Sequence, residues 1–227
     1  MADSLLAEVL EEGLVKLGLN EAAKSAAVLG RYVEEIELFN SAYGLVKVRD
    51  RRELIVKHIL DSLVPLNIIR NLKQAAPRIA DVGSGAGLPG IPLAVCMPGA
   101  EFTLIERMGR RAGFLRNTLA VLGLSNVRVE EAEMEKINPP AYFDIVVFRA
   151  FRPLEPAIFK GLSRLLADGG VLAAYKGRRE AAEEEMAALI KAQKKGAAPS
   201  IENWEALPLE VPFLEDPRHL LLIRVCP

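Results

Sequence analysis

The residues whose types and spacing could bind a nucleotide-like ligand form one glycine-rich stretch, Asp81-Val82-Gly83-Ser84-Gly85-Ala86-Gly87-Leu88-Pro89-Gly90. An apolar run precedes this stretch, and a run compatible with a helix follows it. Glycines at a strand-to-helix turn permit positive φ and let a ligand approach the backbone without a Cβ in the way. The stretch therefore predicts a ligand-binding loop between a strand and a helix.

Acidic residues follow the next two β-rich runs of the chain. Glu106 ends the run 101–106, and Ala132-Glu133 follows the run 127–131. A carboxylate at the position of Glu106 can accept hydrogen bonds from both hydroxyls of a ribose, and an adenine would then lie beside Ala132 and Glu133. Asp81, at the end of the first run, would lie near a cationic amino-acid end of the ligand. Because ligands of open α/β sheets bind at the carboxyl edge of the strands, we expect these positions to form one site.

The elements that must position these residues are strands alternating with helical stretches, which is typical of a parallel sheet covered by helices. The last two β-rich runs are separated only by a short loop, so they should pair as an antiparallel hairpin. The fold predicted is α/β, with a seven-stranded, mostly parallel sheet that ends in an antiparallel C-terminal hairpin. The predicted strands are 78–82, 101–106, 127–131, 144–149, 170–175, 204–211 and 219–225.

The N-terminal part of the chain has a different pattern. Apolar residues recur at spacings of three and four over residues 4 to 63, which predicts helices, and Asp50 with Glu53 forms a capping box at the start of one of them. We therefore divide the chain into an N-terminal helical extension, 1–75, and a ligand-binding core that folds as one compact unit, 76–227. A class I, Rossmann-like methyltransferase has this type of core.

The glycine motif alone leaves two enzyme classes open. Gly85, Gly87 and Gly90 also satisfy the dinucleotide-binding pattern, and Glu106 lies at a distance that would suit NAD. The acid at Asp81, the terminal hairpin and the lack of a second catalytic domain favour S-adenosylmethionine as the cofactor. A NAD-dependent oxidoreductase and a non-catalytic adenosine-binding or RNA-binding protein remain the alternatives.

Composition restricts the partners that this chain could have. The formal net charge is −1, so contact with RNA would depend on local basic clusters. No apolar run is long enough to cross a membrane, and the two cysteines lack metal-ligand spacing. We expect a cytoplasmic monomer without membrane or metal. The basic clusters are Arg49, Arg51, Arg52 and Lys57; Arg107, Arg110, Arg111 and Arg116; Arg149 and Arg152; and Lys176, Arg178 and Arg179.

Several segments together resemble the bacterial 16S rRNA (guanine-N7) methyltransferase family, also known as the glucose-inhibited division protein B family. They are Lys57-His58-Ile59-Leu60-Asp61-Ser62-Leu63, the long glycine motif from Asp81 to Ala94, Arg149-Ala150 and Tyr175-Lys176-Gly177. The resemblance covers roughly residues 35 to 225. It implies methylation of a guanosine N7 in 16S rRNA, with free rRNA or the small ribosomal subunit as substrate.

The resemblance also implies which residues form the site. The cofactor residues would be Asp81, Gly83, Gly85, Gly87, Leu88, Glu106, Ala132, Glu133 and Arg149, and the catalytic residues would be Arg149, Lys176 and His58. His58 lies on an apolar helix face, which by itself indicates a buried core histidine. Phe151 could stack on a base or pack under its loop. Asp61 is most simply interpreted as an acid on the helix surface.

Overall fold

The computed structural model describes residues 2–19, 22–73, 75–150 and 152–226, and it contains a single seven-stranded sheet. The spatial order of the strands is β3-β2-β1-β4-β5-β7-β6, and β7 runs antiparallel to both of its neighbours. The seven predicted strands and the terminal hairpin are therefore confirmed. The strands are β1 Arg78–Val82, β2 Glu101–Ile105, β3 Val127–Glu130, β4 Phe143–Arg149, β5 Leu166–Lys176, β6 Ile201–Leu209 and β7 Arg218–Val225.

The central strands are apolar on both faces because helices cover both sides of the sheet. Alternate residues of β4 belong to two separate apolar cores: Ile145 and Val147 face one core, whereas Val146 and Phe148 face the other. This period of two is the side-chain alternation of an extended strand. The first core also contains buried residues of the N-terminal helices, such as Leu29 and Ile59, so the N-terminal extension shares its core with the sheet.

Helices make up the N-terminal extension, as the apolar periodicity predicted. They are α1 Ala2–Lys16, α2 Ala22–Tyr43, α3 Arg51–Leu54, a π-helix Ile55–Leu60, α4 Asp61–Leu63 and α5 Leu66–Leu72. The helices that follow within the sheet region are α6 Gly90–Cys96, α7 Gly109–Leu122, a short 3₁₀ helix Met134–Lys136, α8 Pro156–Ser163 and α9 Arg179–Gln193. None of the helices in the described part of the chain has the length and apolarity that a membrane span requires.

The segments α3, the π-helix and α4 run without a break from Arg51 to Leu63, and we call them the cap helix. Asp50 caps its start, because the carboxylate accepts a hydrogen bond of 2.7 Å from the backbone N–H of Glu53. The predicted capping box is only half formed: the Glu53 carboxylate accepts from the N–H of Arg49 rather than that of Asp50. The π-helix forms the centre of the cap helix, and Asp61 follows it directly.

Candidate functional site

The glycine loop connects β1 to α6 and takes the conformation that its sequence predicts. Gly83, Gly85 and Gly87 have φ values of +71°, +59° and +95°, a region that residues with a Cβ rarely adopt. The N–H groups of Gly83 and Ser84 both donate to the Ile105 carbonyl at the end of β2. The loop is therefore held across the carboxyl edge of the sheet by the neighbouring strand.

Asp81 lies beneath this loop and lines neither of the clefts described below. Its carboxylate is fully buried, and Oδ2 accepts hydrogen bonds from the Ser84 hydroxyl at 2.7 Å and from the Gly90 N–H at 2.9 Å. Oδ1 is buried with no hydrogen-bond partner in the described residues. Burial raises the pKa of Asp81 to about 6, although both of these hydrogen bonds act in the opposite direction. In this arrangement Asp81 organises the loop.

Glu106 joins the same loop to the end of β2. Its Oε2 accepts from the Gly85 N–H at 3.0 Å, and its Oε1 accepts from the Met108 N–H at 2.8 Å. Only 4% of the residue is exposed. Each carboxylate oxygen can accept more than one hydrogen bond, so both oxygens can also accept from the hydroxyls of a ribose.

Above these groups is an open depression of about 340 Å³, which we call the glycine-loop cleft. Four predicted cofactor residues line it: Gly83, Glu106, Ala132 and Glu133. Gly85, Gly87 and Leu88 do not line it, and Leu88 packs into the first apolar core. The other lining residues are Val82, Ile105, Arg107, Met108, Arg111, Met134, Glu135, Ala150 and Arg152.

A second depression of about 520 Å³ adjoins the first, and we call it the arginine cleft. Ala150 and Arg152 line both clefts, so the two meet at the turn after β4. Ala150 has a φ of +48° at this turn, a strained value for a residue with a Cβ and one that is often found at functional sites. Phe151 lies outside the described residues. The remaining lining residues are Asp61, Phe148, Arg149, Pro153, Tyr175, Lys176, Gly177, Glu185, Leu209, Arg218 and His219.

Arg149, at the end of β4, lines the arginine cleft and is held by the cap helix. One terminal nitrogen donates to Asp61 Oδ2 at 2.9 Å and to the Lys57 carbonyl at 3.4 Å. The other terminal nitrogen lies 3.1 Å from His58 Nδ1. A guanidinium has only donors, so Nδ1 must be the acceptor. The side chain of Arg149 is therefore fixed from one side.

His58 lies behind Arg149 and lines neither cleft. Burial is the larger cause that lowers its pKa, to about 4, and the adjacent Arg149 acts in the same direction. The ring is therefore neutral at neutral pH, which is the form in which Nδ1 can accept from Arg149. This geometry fits a residue that positions Arg149.

Asp61 is not the surface acid that the sequence indicated. Only 5% of it is exposed, because the cap helix packs against the carboxyl edge of the sheet at this point. Its second oxygen, Oδ1, accepts from Nε of Arg218 at 2.9 Å. Arg218 begins β7 and was not among the predicted site residues, because an isolated arginine in a hairpin carries no local signal of function.

Lys176 lies at the end of β5 and lines the arginine cleft, as its position in the sequence suggested. Its ammonium group forms an ion pair with Glu185 of α9, and 13% of the Lys176 side chain is exposed. Lys176 therefore faces the cleft as part of an ion pair.

The basic clusters of the sequence differ in how they are used. Arg107 and Arg111 line the glycine-loop cleft, and Arg149, Arg152 and Lys176 line the arginine cleft. By contrast, Arg49 and Arg51 form ion pairs with Glu53 and Glu37 on the helices. Among the described residues, no group of three or more His, Cys, Asp or Glu side chains is arranged to hold a metal ion.

Comparison with solved structures identifies the fold. A SAM-dependent methyltransferase from Aquifex aeolicus superimposes with a TM-score of 0.53 at 18% identity, over 74% of this chain and 92% of that one. The structure of M. jannaschii TYW2 in complex with AdoMet gives a TM-score of 0.50 at 16% identity, over 72% and 74% of the two chains. The sheet is thus the predicted class I, Rossmann-like methyltransferase fold.

Comparison of sequences identifies the family. The model of the rRNA small subunit methyltransferase G family matches residues 25–204. The ribosomal RNA small subunit methyltransferase G of Treponema denticola is 39% identical over 97% of this chain and 95% of its own length. These comparisons do not support the oxidoreductase and non-catalytic alternatives. The chain belongs to the rRNA small subunit methyltransferase G family.

Proposed function

We propose that this chain transfers the methyl group of S-adenosylmethionine to N7 of a guanosine in 16S rRNA. The observation that carries the proposal is the junction of two clefts at the carboxyl edge of the sheet, one built on the glycine loop and one lined by arginines. The family to which the chain belongs supports an rRNA substrate from the small subunit. A relative that is named ribosomal RNA small subunit methyltransferase G matches nearly the whole chain, which adds to this support.

The glycine-loop cleft fits S-adenosylmethionine in three respects. Its volume of about 340 Å³ lies in the range of small-molecule sites, the Glu106 carboxylate can accept from the ribose hydroxyls, and Ala132 with Glu133 would border the adenine. Asp81 lines neither cleft, but its carboxylate is ionised at neutral pH and lies beneath the loop, so its charge favours a cationic ligand above the loop. When bound, S-adenosylmethionine supplies an electrophilic methyl group on a sulfonium.

The substrate chemistry requires little acid-base help from the protein. Guanine N7 has a lone pair and no proton, so no general base is needed for its attack on the methyl group. The task of the protein is to place the base in line and to stabilise the charges around it. This requirement agrees with a neutral His58 and with an arginine cleft that offers several N–H donors.

Arg149 and Lys176 are the proposed catalytic residues. Both line the arginine cleft, and both can donate to guanine O6 or to a phosphate oxygen of the target nucleotide. Arg149 also lies beside Ala150, where the clefts meet, and could contact the cofactor as well as the base. His58, which was predicted to be catalytic, is better assigned to positioning Arg149.

The partner and the organisation of the protein are part of the same proposal. The substrate would be 16S rRNA, either free or in the small ribosomal subunit, and the enzyme would act in the cytoplasm as a monomer. Segments 1–75 and 76–227 would fold together, since the first apolar core contains residues of both.

The test is to map methylated guanosines by mass spectrometry in 16S rRNA from cells with and without this gene. We expect one N7-methylguanosine to disappear, and the purified protein with S-adenosylmethionine to restore it on small subunits from the deleted strain. An unchanged set of methylated guanosines would contradict the proposed substrate.

A further inference from the structure

Asp61 is a buried acid of the arginine cleft, and it lies between two arginines from distant parts of the chain. Its two oxygens are each 2.9 Å from a guanidinium nitrogen, one of Arg149 at the end of β4 and one of Arg218 at the start of β7. The exposed fractions of the side chains are 7% for Asp61, 14% for Arg149 and 23% for Arg218. One buried carboxylate therefore joins the cap helix to two separate strands of the sheet.

Arg218 has N–H groups that these contacts do not use. Within the described residues it donates to Asp61 through Nε and to the Pro217 carbonyl through one terminal nitrogen. A guanidinium carries five N–H donors, so Arg218, which lines the arginine cleft, has further donors beyond these two contacts. Arg149 also has N–H donors left over, since its contacts with the cap helix engage only three acceptors.

We propose that Asp61 is a positioning residue that holds Arg149 and Arg218 as a preformed pair of donors for an oxygen of the target nucleotide, and that Arg218 contacts this substrate. The proposal rests on the proposed function. The oxygen would belong either to guanine O6 or to the phosphate of the nucleotide, because a guanidinium recognises both through paired N–H groups.

The carboxylate is needed because the two guanidinium groups carry like charges in a partly buried place. With Asp61 between them, each arginine has an opposite charge at hydrogen-bond distance. Without that charge, both guanidinium groups would be left without a counter-ion at this position, which is costly where water is scarce. We therefore expect the arginines to leave their positions when Asp61 loses its charge.

The first test compares Asp61→Asn with Asp144→Asn. Asp144 is a suitable control because it is also a poorly exposed acid that pairs with two cations, Arg78 and Lys73, but it lies at the other end of β4 from Arg149. Methylation of small subunits from the deleted strain would be measured with radiolabelled S-adenosylmethionine, and cofactor affinity by calorimetry. We expect Asp61→Asn to lower kcat/KM for the subunit about 30-fold, the effect of losing a charge-assisted hydrogen bond, with cofactor affinity within about 2-fold of wild type.

Turnover by Asp61→Asn within about 3-fold of wild type would overturn the proposal, and so would an equal loss in Asp144→Asn. A double variant adds a readout that a merely structural role would not give. If Asp61 acts through Arg149 and Arg218, then Asp61→Asn combined with Arg149→Ala should lose less than the product of the two single losses, because only the part that acts through Arg218 remains. Fully multiplied losses would contradict the positioning role.

Arg218→Ala tests the second arginine and decides the proposal if Asp61→Asn does not fold. We expect about a 10-fold loss of kcat/KM for the subunit and unchanged cofactor affinity. A phosphate contact would also reduce the salt dependence of KM, whereas a contact to guanine O6 would leave that dependence as in wild type. Wild-type kcat/KM in Arg218→Ala would overturn the assignment. If wild-type protein fails to methylate the subunit, the proposed function fails instead, so the two failures are distinguishable.

Discussion

The two clefts are built from contacts of very different sequence separation. Under the glycine-loop cleft, Asp81 bonds to residues three and nine positions away, and Glu106 bonds to a glycine 21 positions away. In the arginine cleft, Asp61 bonds to Arg149 across 88 positions and to Arg218 across 157. Contacts between residues close in sequence therefore organise the loop of the first cleft, whereas contacts across most of the chain organise the second. We expect damage to each cleft to affect a different ligand.

The variant with the largest expected effect distinguishes the two clefts by the ligand that each one binds. Arg149→Ala should lower kcat/KM for the small subunit by about 100-fold or more, because it removes a partly buried, charge-assisted donor from the arginine cleft. Cofactor affinity, measured by calorimetry, should change by less than about 5-fold. Arg78→Ala is the matched control, since it breaks the Arg78–Asp144 ion pair at the opposite end of the strands. Unchanged turnover in Arg149→Ala would remove this residue from the site.

Asp81→Ala should act mainly on cofactor binding, which is the converse of the result expected for Arg149→Ala. It removes the acceptor for the Ser84 hydroxyl and for the buried Gly90 N–H, and it should weaken binding of S-adenosylmethionine about 10-fold. Ser84→Ala, which leaves the contact to Gly90 in place, should cost less. Calorimetry that finds wild-type affinity in Asp81→Ala would contradict the role given to this carboxylate in the loop.

The difference between the two clefts also shows which features could be predicted from the sequence. The glycine loop, the order of acid positions and all seven strands could be predicted because each depends on a short stretch of chain. The burial of Asp61 could not, because a carboxylate within an amphipathic helix has no local feature that separates an exposed acid from one facing a distant arginine. Arg218 was missed for the same reason. Lys176 could be placed from its strand end, but its ion pair with Glu185 required the structure.

Two buried tyrosines connect the N-terminal extension to the two clefts. Removing their hydroxyls one at a time tests the difference between the clefts with smaller expected effects. The Tyr32 hydroxyl donates to the Ala86 carbonyl of the glycine loop at 2.7 Å, and the Tyr175 hydroxyl donates to the Ser62 carbonyl beneath the arginine cleft at 2.8 Å. Tyr32→Phe should weaken cofactor binding about 3-fold to 5-fold, the effect of one neutral hydrogen bond.

Tyr175→Phe is the matched control for that experiment. It should leave cofactor affinity close to wild type and lower turnover of the subunit instead. Calorimetry of both variants shows whether cofactor affinity falls in Tyr32→Phe alone or in both. Equal losses of cofactor affinity would show that the hydroxyls act on the fold as a whole rather than on one cleft each.

The last test concerns the stability of the fold and its dependence on pH rather than the binding of either ligand. The pKa of His58 falls from an ordinary value of 6.5 to about 4 in the folded protein, so between these values only the unfolded chain binds the proton. His58 therefore makes the protein lose stability as pH falls from about 6.5 to about 4. His58→Gln keeps an acceptor for Arg149 but does not titrate, so the Tm of wild type should fall relative to that of His58→Gln as the pH is lowered through this window.

The measurement is thermal unfolding of wild type and His58→Gln at several pH values across that window. Asp81, with a pKa raised to about 6, titrates nearby with the opposite sign, but it does so in both proteins and cancels from their difference. Parallel curves of Tm against pH would contradict the assigned state of His58.

The π-helix at Ile55–Leu60 has a consequence for how this segment can vary between relatives. A π turn accommodates one more residue than an α turn, and it lies directly before Asp61. If the same residues were wound in α geometry instead, every later side chain would rotate by about 100° around the helix axis relative to the residues before the turn. Asp61 would then point away from Arg149, although the sequence would be unchanged. Deleting one residue together with the π turn would compensate for that rotation, so a relative that lacks one residue here should keep its acid directed at the arginine in ordinary α geometry.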